Sequence, residues 1–205
     1  MAATDVAVEG STQLDPAFVD DFVRRFYEAW NALDSDAVAA LCTVDVIWDE
    51  PIIPRLARGR DEVAAFVTAT REASPDFHIE RLSPAPYISA TEPKVLQPYR
   101  MTATQTGVWS YTGLLPTGYR VDAPAIDEWT FRGQLLCHYV TYYDTLDTCR
   151  QLSNMPPWGW IENGEKRGSA GDRMLTGFTN LNTRLTKLFG RRPKGPFPRG
   201  YELRR

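Results

Sequence analysis

Near residue 75 the apolar residues of this chain shift from mainly helical to strand spacing, and that shift restricts the folds it can adopt. Between residues 16 and 73 they recur at helical intervals of about three to four, apart from one short strand-like stretch. From residue 76 to residue 145 they alternate at the strand period of about two. Helices first and long strands afterwards predict an α+β fold with antiparallel strands.

The first helix is predicted to start at Asp15-Pro16, an acid that can cap followed by proline at the first helical position. Phe18, Val19, Phe22, Val23, Phe26, Trp30 and Leu33 then form its apolar face. The segment "LDSD" ends it and caps a short second helix that buries Val38 and Leu41. A β-branched strand, "VDVIWDEP", follows. After a turn at Gly59, a third helix is expected with Asp61 as its cap and Val63, Phe66 and Val67 inward. The strands "DFHIERL", "KVLQPYRMTATQTG", "YRVDAPAIDEWTF" and "LLCHYVTYYDT" complete the body.

Charge divides the chain near "NMPPWGW". Residues 156–205 hold eleven Lys/Arg against four Asp/Glu, a net +7. The whole chain is −3, so residues 1–155 carry −10. The expected organisation is an N-terminal arm (1–15), one domain (16–155) and a basic C-terminal extension (156–205). Past Pro157 the pattern reads as helical. Met174, Phe178, Leu181, Leu185 and Leu188 make a narrow seam, expected to pack on the body or on a sister subunit. "FGRRPKGPFPRGYELRR" reads as an extended tail.

No apolar run approaches the roughly 18 residues of a membrane span, so stable membrane insertion is not expected. Cys42, Cys137 and Cys149 have no metal-type spacing, and only two histidines are present. That reading implies a reduced, cytoplasmic setting and no metal. Neither a phosphate loop nor a dinucleotide glycine pattern occurs, so no cofactor and no nucleic acid are expected.

Three stretches can carry chemistry. In "DVIWDEPII", Glu50 shares a face with Val46 and Trp48, and Asp49 shares the other with Ile47. In "APAIDEWTF", Asp127 is aligned with Trp129 and Phe131. A carboxyl on an apolar face is costly to ionise and can stay protonated as a donor. The alternative is pairing with Arg100 or Arg120. In "CHYVTYYDT", alternation puts Leu136, His138, Val140, Tyr142 and Asp144 on one face and Cys137, Tyr139, Thr141 and Tyr143 on the other. His138 is either a structural hydrogen-bonder or a second polar group of a site.

The stretches "FYEAWNALDSDAVAALCTVDVIWDEP", "ARGRDEVAAFV", "GLLPTGYRVDAPAIDEWTF" and "YYDTLDTCRQL", in this order, resemble the SnoaL-like polyketide cyclase and ketosteroid isomerase-like superfamily, over residues 16–155. The resemblance implies the nuclear-transport-factor-two-like fold. That is a cone-shaped curved antiparallel sheet wrapped around three helices, here with a C-terminal helical and basic extension. Against the isomerase pattern, the "N-A-x-D" turn falls on Asn31 to Asp34. The general base falls on Glu50, directly before a proline, and the oxyanion-hole acid on Asp127 in "PAID". The helix-one tyrosine falls on Phe26, which has no hydroxyl, leaving Tyr27, Tyr111 or Tyr142 to supply one. The cyclases' catalytic aspartate falls on Val140. An Asp-Arg-Asp set like that of the epoxide hydrolases would need Asp127, Arg100 or Arg120, and Asp49.

The resemblance therefore implies a cofactor-free acid-base enzyme, an isomerase or cyclase, acting on a bulky apolar carbonyl-bearing small molecule such as a polyketide or steroid-like compound. Glu50, Asp127 and His138 are its candidate polar residues. Trp30, Trp48, Trp109, Trp129, Phe26 and Tyr142 are candidates to bind substrate. A water-activating epoxide hydrolase or dehydratase and a non-catalytic binding protein are the alternatives. A homodimer is expected.

Overall fold

A computed structural model describes residues 13–53, 55–111, 113–152, 160–162, 165–167 and 170–188. The N-terminal residues 1–12 and the tail 189–205 lie outside the described residues, and with them the readings made for the arm and the basic tail.

Three helices come first, α1 (Pro16–Asn31), α2 (Ser35–Ala40) and α3 (Gly59–Ala73), with β1 (Cys42–Asp49) and the short β2 (Ala57–Arg58) between the last two. Then follow β3 (His78–Arg81), β4 (Tyr87–Ile88), β5 (Lys94–Thr104), β6 (Arg120–Arg132) and β7 (Leu135–Tyr143). The chain continues through α4 (Thr145–Gln151), a hairpin of β8 (Trp160–Glu162) and β9 (Glu165–Arg167), and α5 (Ala170–Leu188). One curved, unclosed sheet runs β2-β1-β7-β6-β5-β3, with β4 also on β5. Its pairs are antiparallel except β1 with β7, which run parallel.

Local chemistry sets the helix ends. Asp15 accepts a hydrogen bond from Ala17 N at 3.0 Å, and Pro16 loses nothing at a position whose N–H has no helical partner. The Asn31 amide then ties the end of α1 to the sheet edge, donating to Ile79 O at 3.0 Å and accepting from Ile79 N at 2.8 Å. Asp34 caps α2 through Asp36 N and Ala37 N. α3 begins at Gly59, earlier than the Asp61 expected from sequence. Asp61 and Glu62 sit in its first turn, where acids favour the helix dipole, and Glu62 accepts from Arg58 N at 2.7 Å.

The core lies between α1, α3 and the concave face of the sheet. Phe22, Phe26, Trp48, Trp129 and Leu136 are almost wholly buried there. Trp48 stacks on Tyr139 with ring centroids 3.7 Å apart. Strand pairing skips Cys137, so Leu136 joins Tyr139 on the inner face, whereas strict alternation puts it with His138.

One expectation for the C-terminal part is corrected: the stretch after Pro157 contains the β8–β9 hairpin before α5, so it is not helical throughout. The seam of Met174, Phe178, Leu181, Leu185 and Leu188 faces away from the body, which leaves a sister subunit as the expected partner for it. All five are exposed, and α5 instead turns Thr179 and Thr183 inward. Among the described residues, no helix is long and apolar enough to cross a membrane.

Candidate active site

Residues of α1, α3 and the concave face of the sheet line a cavity of ≈ 140 Å³. Its wall is largely aromatic and apolar, with Phe26 and Trp30 from α1, Phe66 from α3, Met101 from β5, and Trp109 from the loop after β5. Two carboxyl groups reach this cavity, Glu50 and Asp127.

Glu50 holds the last inward position as β1 ends. Pro51 follows and has no N–H to continue the ladder. Ile53 N donates to Glu50 O at 3.2 Å and closes a tight turn there. The side chain is 6% exposed, and Oε1 accepts a 2.6 Å hydrogen bond from Tyr143 Oη.

Asp127 lies mid-strand in β6, opposite Gln97 of β5 and Thr141 of β7. It is 1% exposed, and its Oδ1 accepts a 2.7 Å hydrogen bond from Tyr139 Oη. Burial pushes its carboxyl up to about 7, against the pull of the Tyr139, Thr141 and Tyr99 hydroxyls toward the charged form. Such a group is protonated for a large part of the time near neutrality.

Strand β7 serves both acids. Tyr139, Thr141 and Tyr143 are successive inward positions on it. The first donates to Asp127 and the third to Glu50, while Thr141 Oγ1 shares a 2.9 Å hydrogen bond with Tyr99 Oη. Burial, reinforced by the neighbouring carboxyls, holds the Tyr99, Tyr139 and Tyr143 phenols well above their usual range. They stay protonated as donors. An apolar chamber with one carboxyl able to take a proton and one able to offer a hydrogen bond is suited to moving a proton on carbon. Among the described residues, no three His, Cys, Asp or Glu side chains gather as a metal cluster.

The family model for the SnoaL-like domain matches residues 23–139, more than half of the 205-residue chain. The chain belongs to the SnoaL-like domain family. Solved structures share its fold at low identity. TsrD from Streptomyces laurentii superposes with a TM-score of 0.58 at 19% identity, over 68% of this chain and 98% of that one. A protein from Jannaschia sp. CCS1, provisionally named a SnoaL-like polyketide cyclase, gives 0.58 at 17% identity over 72% and 98%. An NTF2-like protein of unknown function from Burkholderia pseudomallei K96243 gives 0.55 at 18% identity over 66% and 98%. These likenesses establish the fold alone. Comparison with the curated proteins finds no match.

This SnoaL-like chain brings some of the expected residues together and separates others. Glu50, Asp127, Phe26, Trp30 and Trp109 line the cavity. Trp48 and Trp129 are fully buried in the core and are not among its lining residues. His138 and Tyr142 lie on the opposite face of β7 from Tyr139, outside the cavity; Tyr142 is 53% exposed and donates to Glu128 at 3.1 Å. Arg100 does not pair with Asp127. Its guanidinium is held by Asp122 at 2.6 Å and reaches Glu80 at 3.4 Å, so the hydrolase-like Asp-Arg-Asp set is not assembled around Arg100.

The hydroxyls beside the acids come from Tyr99, Tyr139 and Tyr143, not from the tyrosines named from sequence. Tyr27 is buried next to Phe26 but lies outside the cavity lining, as does Tyr111. Alternation along "CHYVTYYDT" already sets Tyr139 and Tyr143 on one face. It does not say which face is inward.

Proposed function

We propose that this protein is a cofactor-free acid-base enzyme, an isomerase or cyclase, acting on an apolar carbonyl compound. The observation that carries this reading is that Asp127, buried and hydrogen-bonded to Tyr139, shares one apolar cavity with Glu50. Glu50 removes a proton from the carbon next to the carbonyl. The electron pair moves onto the carbonyl oxygen, where protonated Asp127 donates a hydrogen bond to the growing charge. Glu50 then returns the proton to another carbon of the conjugated system, or the enolate carbon attacks a second carbonyl and closes a ring, the π pair of that carbonyl moving onto its oxygen, which takes the proton back from Glu50. Positioned acid-base catalysis is worth roughly 10²–10⁴-fold. The donor acts in a water-poor site, where it is stronger than in water.

The size of the chamber narrows the substrate. A space of ≈ 140 Å³ is comparable to the roughly 150 Å³ apolar cavity that holds a benzene. One ring, or the reacting ring of a larger molecule, enters it.

The test uses 3-cyclohexen-1-one in deuterated water, followed by proton NMR. The expected result is conversion to the conjugated enone with deuterium incorporation, abolished in Glu50→Gln. Equal exchange by wild type and Glu50→Gln would refute the assignment. Labelled solvent oxygen appearing in product would point instead to water activation.

A further inference from the structure

The loop between β5 and β6 supplies three cavity-lining residues, Gln105 at its start and Trp109 and Leu114 further along. It forms a small closed turn. Trp109 N donates to Leu114 O at 3.0 Å, and Gly113 N donates to Trp109 O at 2.8 Å. At its base the loop is pinned to α3, since Thr106 N and Gly107 N both donate to Ala73 O at 2.9 Å. Gly107 lies against the Glu72 carbonyl so closely that no Cβ could fit there. Trp109, Gly113 and Leu114 form the tip of the loop, further along the chain than these anchors.

Asn180 of α5 holds that tip. Its Nδ2 donates to Gly113 O at 2.9 Å, and its Oδ1 accepts from Leu115 N at 2.9 Å. Both backbone bonds flank Leu114. The neighbours Thr179 and Thr183 are buried, so α5 meets the body with its polar face around this grip. Asn180 lies 41 residues beyond the end of the matched SnoaL-like domain, which stops at residue 139.

We propose that Asn180 is a positioning residue of the cavity, and that α5 thereby completes the wall formed by Trp109 and Leu114. The C-terminal extension then sets how tightly the chamber closes on a single ring. This inference deepens the proposed function, since it concerns the same cavity, but it requires only that the cavity bind an apolar ring. Two neutral hydrogen bonds hold the tip. Their loss lets the wall swing away from the ligand.

The experiment uses the full chain, with 4-fluorophenol as the probe, titrated by fluorine NMR. Indole N–H cross-peaks are followed in the same samples, with the Trp109 peak assigned from Trp109→Phe. Asn180→Ala is expected to weaken probe binding about tenfold. It should move or broaden the Trp109 peak while the Trp30 and Trp48 peaks stay in place. Phe178→Ser, on the exposed side of α5, is the control and should change neither readout. The proposal is overturned if Asn180→Ala leaves the Trp109 peak and the affinity as in wild type. It is equally overturned if all indole peaks move together with a fall in melting temperature, because that marks a merely structural role. Failure of the probe to bind wild type would count against the ring-binding cavity of the proposed function. The Trp109 peak would still decide whether Asn180 holds the loop.

Discussion

Tyr143 Oη donates a 2.6 Å hydrogen bond to Glu50 Oε1, joining the end of β7 to the residue that follows β1. The two residues are 93 positions apart in sequence. The bond fixes where the Glu50 carboxyl points, and with it the geometry of any proton it takes.

If Glu50 is the base, Glu50→Gln should lower turnover of a one-ring enone by at least about 10²-fold with an unchanged circular dichroism spectrum. Tyr143→Phe keeps the ring and removes the donor. It should cost about tenfold, the scale of one hydrogen bond to a charged group. Steady-state kinetics decide both, and full activity in Glu50→Gln would remove Glu50 from the mechanism.

The Asp127 carboxyl gives stability a definite pH dependence. Its folded value is raised to about 7 from 3.8. Below the unfolded value both states hold the proton, and the full contribution is present. Between the two values the folded state binds a proton that the unfolded state lacks, so stability falls as pH rises, and the loss is complete above about 7. The total is roughly 4 kcal/mol. Asp127→Asn mimics the protonated acid and should abolish that slope. Urea titrations of both proteins at about pH 5 and about pH 8 measure it. Parallel curves would mean that Asp127 titrates as an ordinary carboxyl.

The same group should shape activity. If protonated Asp127 is the donor, kcat/KM declines as pH rises through about 7, and the declining limb is missing in Asp127→Asn. A limb retained unchanged in the variant would assign it to another group.

Trp48 supports the site without lining it. It is fully buried and stacked on Tyr139, the donor to Asp127. Trp48→Ala should cost about 3–5 kcal/mol of stability by leaving a cavity behind that ring. Trp48→Phe should cost less in stability but still lower kcat, since Tyr139 loses part of its backing. Denaturation and kinetics on both variants separate packing from positioning.

His138 and Tyr142 provide the contrast. Both lie on the outer face of β7, so His138→Gln and Tyr142→Phe should leave kcat/KM within about twofold. A tenfold loss in either would move the chemistry to the outer face of the sheet.

Much of the fold was readable in the sequence because it is set by short-range rules. The caps at Asp15 and Asp34 depend on neighbours two or three residues away, and inward faces follow from period. Reading failed where one residue broke the period. Skipping Cys137 moves Leu136 to the other face of β7, which spacing alone does not reveal. Spacing also left open what the α5 seam packs on; it faces outward while threonines face the body. A seam identifies an apolar stripe and is silent about which side the body takes.

The sequence by itself determined the α+β order, the helix boundaries near Pro16 and Ser35, and two acids each aligned with aromatic residues. Only the tertiary structure decided that both acids enter one cavity, that the hydroxyls beside them belong to Tyr99, Tyr139 and Tyr143, and that Asn180 grips the cavity loop. The reason is the range of the forces involved. Caps and periodicities are local and survive in a string of letters. A hydrogen bond between residues far apart in the chain exists only after the sheet has curved and brought them within 3 Å, as it does for Tyr143 and Glu50 at 2.6 Å.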